Sequence, residues 1–239
     1  PCIAPRVQKH APPRLCANCT YRRTLCTILK TDRLLIMLKL FNKKLPHCDD
    51  LFVKFFSLWY PREDRPKITR PDMFVISGFE GKTLDLDDLQ YLPDELLNKT
   101  KNQVSTITNA ALQDYQNIIK SDRLDFNVLD AVDKFYDRQK IAEIIKLSDP
   151  KDFSNLYLVS VCEFGATLGQ LFNNLDGFGW LYSYPYFHSI IVHQETGFGI
   201  TVFDWAIKKF SEYGVDDGFV AKLHAAVEGI NDYRNKNGA

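Results

Sequence analysis

The stretch from Gly177 to Trp205 constrains the fold of this chain more than any other. It contains a dense set of aromatic residues, two of the five histidines and a strong strand and turn pattern. Because the connections between its strands are short, neighbouring strands must run antiparallel. The stretch therefore predicts a three-stranded antiparallel meander, followed by a helix that Asp204 caps. The predicted strands lie at 180–184, 187–194 and 198–203.

Helices are predicted for most of the remaining chain. Aromatic residues three and four apart follow Asp49 and Asp50, which predicts a short amphipathic helix within 48–60. Residues 89–147 are helical in character and form two helices, and residues 156–175 form a helix that is apolar on nearly every side and belongs in the core. A small hairpin is also expected at 74–86. The predicted fold class is α+β, dominated by helices, with the meander near the C-terminus.

Charge and composition change abruptly near residue 37. Residues 1–36 have a net charge of +6, whereas the rest of the chain has −6. We expect residues 1–36 to be a disordered or non-native basic head, with Met37 as the native start and 37–239 as a single α+β domain. A basic, acid-poor transit peptide is an alternative interpretation of the head.

A zinc site is a third interpretation of the head, because Cys16 and Cys19 form a C-x-x-C pair with Cys26 and His10 nearby. A structural zinc site normally needs a second pair of ligands, which would have to come from these residues or from His47 and Cys48. The sequence therefore predicts no metal site and no cofactor.

Composition also limits the partners and the location of the chain. The balanced total charge is not typical of a general nucleic-acid binder, and no apolar run is long enough to cross a membrane. The domain has few cysteines, which is typical of cytoplasmic proteins without disulfides. A basic protein partner would suit the acidic domain.

Candidate catalytic residues are His188, His193, Glu163, Glu195 and Asp204. On a regular strand, His188 and His193 are five residues apart and point to opposite faces, so they are not expected to share a site. One histidine with a carboxylate or a tyrosine could act as a general base. Glu163 is the only acid in an apolar helix, so it is expected either at an exposed edge or paired, because burial without a partner would raise its pKa. These residues establish no catalytic centre, so enzymatic activity remains an open alternative.

One surface of the first predicted strand is a candidate binding face. Trp180, Tyr182 and Tyr184 alternate with Leu181 and Ser183, so the three aromatic side chains share one side. We expect this face to bind a partner, provided that the helices do not cover it.

The last third of the chain carries the motifs E-F-G-A-x-L-G and G-x-G-W-x-Y, and then F-D-W at the start of a helix. This arrangement resembles small uncharacterised bacterial α+β domains, some of which are immunity proteins against polymorphic toxins. The resemblance implies a fold type and a bacterial cytoplasmic setting, but it brings no catalytic residues. The expected function is a non-enzymatic binding protein, and the alternative is a small hydrolase that uses a histidine and a carboxylate of the meander.

Overall fold

A computed structural model describes residues 44–62, 68–69, 71–76, 83–119 and 125–237. The predicted basic head at 1–36 lies outside these ranges. The described part is a helix-dominated α+β fold, as the sequence predicts. Its helices are α1 (Cys48–Phe55), α2 (Leu86–Leu89), α3 (Asp94–Ile119), α4 (Phe126–Phe135), α5 (Arg138–Leu147), α6 (Leu156–Asn173), α7 (Val202–Lys209) and α8 (Phe219–Asn237). Its strands are β1 (Met73–Val75), β2 (Phe178–Leu181), β3 (Ile190–His193) and β4 (Phe198–Ile200).

The four strands form one antiparallel sheet in the order β1-β4-β3-β2. The predicted meander is confirmed as β2-β3-β4, in which Phe178 pairs with His193 and Ile191 pairs with Ile200. Gly197 makes the turn between β3 and β4 with a φ of +66°, a backbone conformation that glycine adopts without strain. β3 begins later than predicted, at Ile190, because residues 186–188 form a turn of 3-10 helix.

The hairpin expected at 74–86 is replaced by a different arrangement. Phe74 belongs to β1, which pairs with β4. Leu86 begins α2, and residues 77–82 lie outside the described ranges. The apolar alternation is nevertheless satisfied, since Leu84 is buried and its amide donates to the Gln194 carbonyl at 2.8 Å. Residues 83–85 therefore lie beside the sheet without forming a second strand.

Two predicted helix boundaries also differ from the structure. The region 89–147 contains three described helices, because α4 ends at Phe135 and the side chain of Asp137 caps α5 by accepting from the Lys140 amide at 2.8 Å. Asp204 does not cap α7. The helix begins at Val202 with Thr201 in the N-cap position, and Asp204 lies in the first turn.

Helix α6 is the centre of the core, as its apolar sequence predicts, and most of its residues are buried. Two glycines let neighbouring elements approach it closely. A Cβ atom at Gly165 would lie 2.7 Å from the Phe203 side chain of α7, and one at Gly169 would lie 2.2 Å from the Trp180 ring of β2. Glycine at these two positions therefore lets α7 and β2 pack directly against α6. None of the helices in the described ranges is long and apolar enough to cross a bilayer.

Candidate functional site

A cavity of about 370 Å³ lies where four separate parts of the chain meet, one of which contributes Tyr91, between α2 and α3. Pro61 and Arg62, which follow α1, form one side. Residues between β2 and β3 form another, including Ser183 and His188, and the start of α7 contributes Asp204. Because these parts are distant in sequence, only the tertiary fold creates the cavity.

A buried ion pair between Arg62 and Asp204 forms part of the cavity wall. Arg62 Nη1 donates to Asp204 Oδ2 at 2.8 Å, and Nη2 donates to Oδ1. The two side chains are only 6% and 9% exposed, and the guanidinium lies over the rings of Phe52 and Phe187. A bidentate pair offsets the cost of removing both charges from water. Each oxygen of Asp204 already accepts from Arg62, so this carboxylate acts mainly as a structural counter-ion.

The Arg62–Asp204 pair is one of three buried ion pairs that hold α7 in place. All eight residues of α7 are buried. Each of its charged side chains contacts an opposite charge from another part of the chain, which satisfies charges that would otherwise be costly to bury. The pairs thereby fix the helix that carries one wall of the cavity. They are Arg62–Asp204, Asp72–Lys208 at 2.7 Å and Asp133–Lys209 at 2.5 Å.

Asp72 gives a pH dependence that can be measured. Burial raises its pKa from 3.8 to about 6, although Lys208 opposes this rise. Between pH 3.8 and about pH 6, the folded state therefore binds more protons than the unfolded state. The contribution of protonated Asp72 to the free energy of unfolding is lost as the pH rises through about 6. We compare the free energies of unfolding of the wild type and of Asp72→Asn at the same pH. We expect the wild-type value minus the variant value to fall by about 2 kcal/mol as the pH rises from about 4 to about 6.5. Urea denaturation at each pH measures this difference in free energy of unfolding. A difference that rises with pH would contradict the raised pKa of Asp72.

The structure places the two candidate histidines in different surroundings. His188 lies in the 3-10 turn and lines the cavity together with Asp204. His193 ends β3, where its Nδ1 lies 2.9 Å from Thr196 Oγ1 and its Nε2 lies 3.2 Å from Arg234 Nη2. His188 lies outside any strand, so the two histidines do not point to opposite faces of one strand as predicted. They nevertheless have different contacts, and only His188 lines the cavity.

The remaining carboxylate candidates are also distributed over the molecule. Glu195 Oε2 accepts from Arg234 Nε at 2.5 Å, so Arg234 links Glu195 to His193. Burial first, and then the positive charge of Arg234, lower the pKa of His193. Glu163 is half-buried on α6, where its charge adds to burial in raising the pKa of Tyr136. Of the five candidates, the cavity therefore brings together only His188 and Asp204.

Both described cysteines are buried free thiols. Burial raises the pKa of Cys162 to about 12 and that of Cys48 to about 11. Because the thiolate is the reactive form, neither cysteine is suited to act as a nucleophile in these surroundings.

The predicted aromatic binding face is largely covered by helices. Trp180 is 7% exposed and packs against Gly169 of α6. Tyr182 stacks on Trp180 with ring centres 5.7 Å apart, and Lys99 of α3 lies 3.2 Å from the hydroxyl of Tyr184. Trp180 is therefore a core residue, while Tyr182 and Tyr184 keep partial exposure.

A run of exposed carboxylates borders the cavity. Residues 83–98 contain five acidic residues and no basic residue, and all five acidic side chains are exposed. Tyr91 lies within the run, is 70% exposed and also lines the cavity. We call the five residues the acidic rim: Asp85, Asp87, Asp88, Asp94 and Glu95.

The acidic rim is fixed against β2, the edge strand of the sheet. Leu86 fills the space beside Gly179, where a Cβ atom would lie 2.4 Å from Leu86 Cδ1. The side-chain amide of Gln90 lies against the backbone of Trp180, and the hydroxyl of Tyr91 is 2.9 Å from Ser183 Oγ. These contacts cover the free edge of β2 and hold the carboxylates in place.

Arg62 and Tyr91 are two cavity residues that the sequence did not single out. Arg62 belongs to a segment with three prolines and several charges, P-R-E-D-R-P-K-I-T-R-P, which predicts only a loop. Nothing in that composition distinguishes Arg62 from the other arginines. Tyr91 did carry a signal, since it is an aromatic residue within a run of acids.

Comparisons of the chain with protein-family models, with curated proteins and with solved structures find no match. The functional interpretation therefore depends on the residues described above.

Proposed function

We propose that this chain is a non-enzymatic binding protein whose acidic rim docks a basic segment of a partner protein. The observation that carries this proposal is the set of five exposed carboxylates, without an intervening basic residue, held against the edge of the sheet. Opposite charges steer partners together and favour correct orientation. Carboxylates that are fixed by the fold lose less conformational entropy on binding than those on a free loop.

The adjoining cavity provides a recess for a side chain of the partner. Tyr91 stands between the acidic rim and the cavity, and amphipathic aromatic residues often anchor protein interfaces. Exposed hydroxyl groups of Tyr91 and Ser183 lie 2.9 Å apart and can bind polar atoms of a bound chain. The rim would then govern the association rate, while the recess would contribute more to the lifetime of the complex.

An immunity-type role in the cytoplasm is the specific form of this proposal. It is supported by the resemblance of the last third of the chain and by the low cysteine content of residues 37–239. Hydrolysis by His188 and Asp204, which share the cavity, has weaker support. Both oxygens of Asp204 accept from Arg62, so the carboxylate is poorly placed to orient the histidine.

Charge reversal tests the acidic rim. We expect Asp88→Lys/Glu95→Lys to reduce the association rate with Lys/Arg-rich peptides, first selected on an array, by about ten-fold at low salt. The variant Glu228→Lys/Asp232→Lys changes the net charge equally at exposed positions of α8 and is the matched control. We expect the control to bind as the wild type does, as measured by surface plasmon resonance.

Two results would count against the proposed function. If the array selects no basic peptide at low salt, the acidic rim has no such ligand. If both charge-reversed variants lose binding equally, the net charge of the protein and not the rim is responsible. A circular dichroism spectrum unchanged from wild type confirms that each variant is folded.

A further inference from the structure

Three different types of metal ligand lie together at the start of α1. His47 Nδ1 is 3.8 Å from Cys48 Sγ and 3.6 Å from Asp49 Oδ2, and one ligand atom from each residue lies within 4.8 Å of the other two. We propose that His47, Cys48 and Asp49 bind zinc or a similar divalent transition metal. This inference is independent of the proposed function.

The separations between these atoms fit a common metal centre. Zinc bonds of about 2.0–2.1 Å to nitrogen and oxygen and about 2.3 Å to sulfur place tetrahedral ligand atoms roughly 3.3–3.6 Å apart. The 3.6 Å from His47 Nδ1 to Asp49 Oδ2 lies at the upper end of this range, and the 3.8 Å from His47 Nδ1 to Cys48 Sγ exceeds it slightly. Small side-chain rotations would therefore bring the ligands to bonding distance. Metal binding would use the single lone pair of His47 Nδ1, so this atom would give up the long hydrogen bond of 3.5 Å that it accepts from the Asp49 amide.

The carboxylate of Asp49 is already oriented by its neighbours. Its Oδ1 accepts from the amides of Ile68 and Thr69 at 2.5 and 3.2 Å. Its Oδ2, the oxygen that faces His47, accepts from the Thr69 hydroxyl at 3.3 Å and retains a lone pair for a metal. Hydrogen bonds of this kind typically orient ligating carboxylates.

The three ligands also suit the charge of a divalent cation. On binding, the Cys48 S–H proton is released to solvent as the metal–sulfur bond forms. Thiolate and carboxylate together then carry two negative charges, and a neutral imidazole adds none, so the occupied site is neutral. Neutrality matters because Cys48 is fully buried, whereas the side chain of His47 is 44% exposed.

Cobalt(II) binding to the full-length chain tests the site. The cysteines at 2, 16, 19 and 26 are replaced by serine in every sample, so that they cannot contribute a thiolate. We expect one equivalent of cobalt, with a near-ultraviolet charge-transfer band from the Cys48 thiolate, and displacement by zinc. The band should disappear in Cys48→Ser and persist in Cys162→Ser, which alters the other buried thiol.

Two further variants separate metal binding from folding. His47→Asn keeps a side chain that can cap α1 but removes the imidazole, so we expect a folded protein with at least ten-fold weaker zinc affinity in competition titrations. Thr69→Val removes the hydroxyl that orients Asp49 and should weaken zinc about ten-fold. Absence of the band in the parent protein, or a band that persists in Cys48→Ser, would overturn the proposal.

Discussion

Replacing Asp204 by asparagine is expected to lower the free energy of unfolding by about 3–5 kcal/mol. The change leaves the guanidinium of Arg62, which is only 6% exposed, without its counter-charge. No other ion pair with Arg62 occurs within the described ranges, and Arg62 Nε lacks a hydrogen-bond partner there. Urea denaturation followed by circular dichroism measures the loss.

The double variant Arg62→Met/Asp204→Leu is the control for this prediction. It removes both charges and keeps apolar volume against Phe52 and Phe187, so we expect it to recover most of the stability that Asp204→Asn loses. If Asp204→Asn costs less than about 1 kcal/mol, the pair is not buried in solution as it is in the structure. The pair also lines the cavity, so its loss should alter the recess beside the acidic rim.

The second large effect is expected for Gly169→Ala. The added Cβ would lie 2.2 Å from two carbons of the Trp180 ring, which is far inside contact distance. Trp180 is buried, so the ring or the backbone of α6 must move. We expect a loss of about 1–3 kcal/mol in the free energy of unfolding, measured by urea denaturation.

Gly229→Ala in α8 is the matched control for this glycine substitution. Nothing lies within 4 Å of the added Cβ at Gly229. The higher helix propensity of alanine should therefore stabilise the protein by up to about 1 kcal/mol. Equal effects at the two positions would contradict the close approach of β2 to α6.

Local sequence signals were sufficient for much of the fold. The short connections and glycines of residues 177–205 predicted the meander, because antiparallel neighbours need only tight turns. The apolar character of α6 predicted its burial in the core. β1 could not be predicted as a partner of β4, since that pairing joins residues more than a hundred positions apart.

The candidate sites were predicted less well because they depend on contacts between distant segments. Asp204 was correctly chosen as a notable residue, but its contact with Arg62 crosses 142 positions and replaces the expected capping role. The aromatic face was predicted from alternation, which separates the two sides of a strand but does not show that α3 and α6 cover one of them. The acidic rim is visible in the sequence, whereas its position beside the cavity is not.

The sequence of Gly177–Trp205 alone determined that the chain contains an antiparallel meander next to a buried helix, because strand alternation and tight turns are local properties. Only the tertiary structure decided which of its side chains remain accessible. Burial depends on the elements that pack from elsewhere, and here α6 encloses Trp180 while the segment after α1 supplies the counter-charge to Asp204. Long-range packing therefore buries Trp180 in the core and leaves Tyr182 and Tyr184 partly exposed.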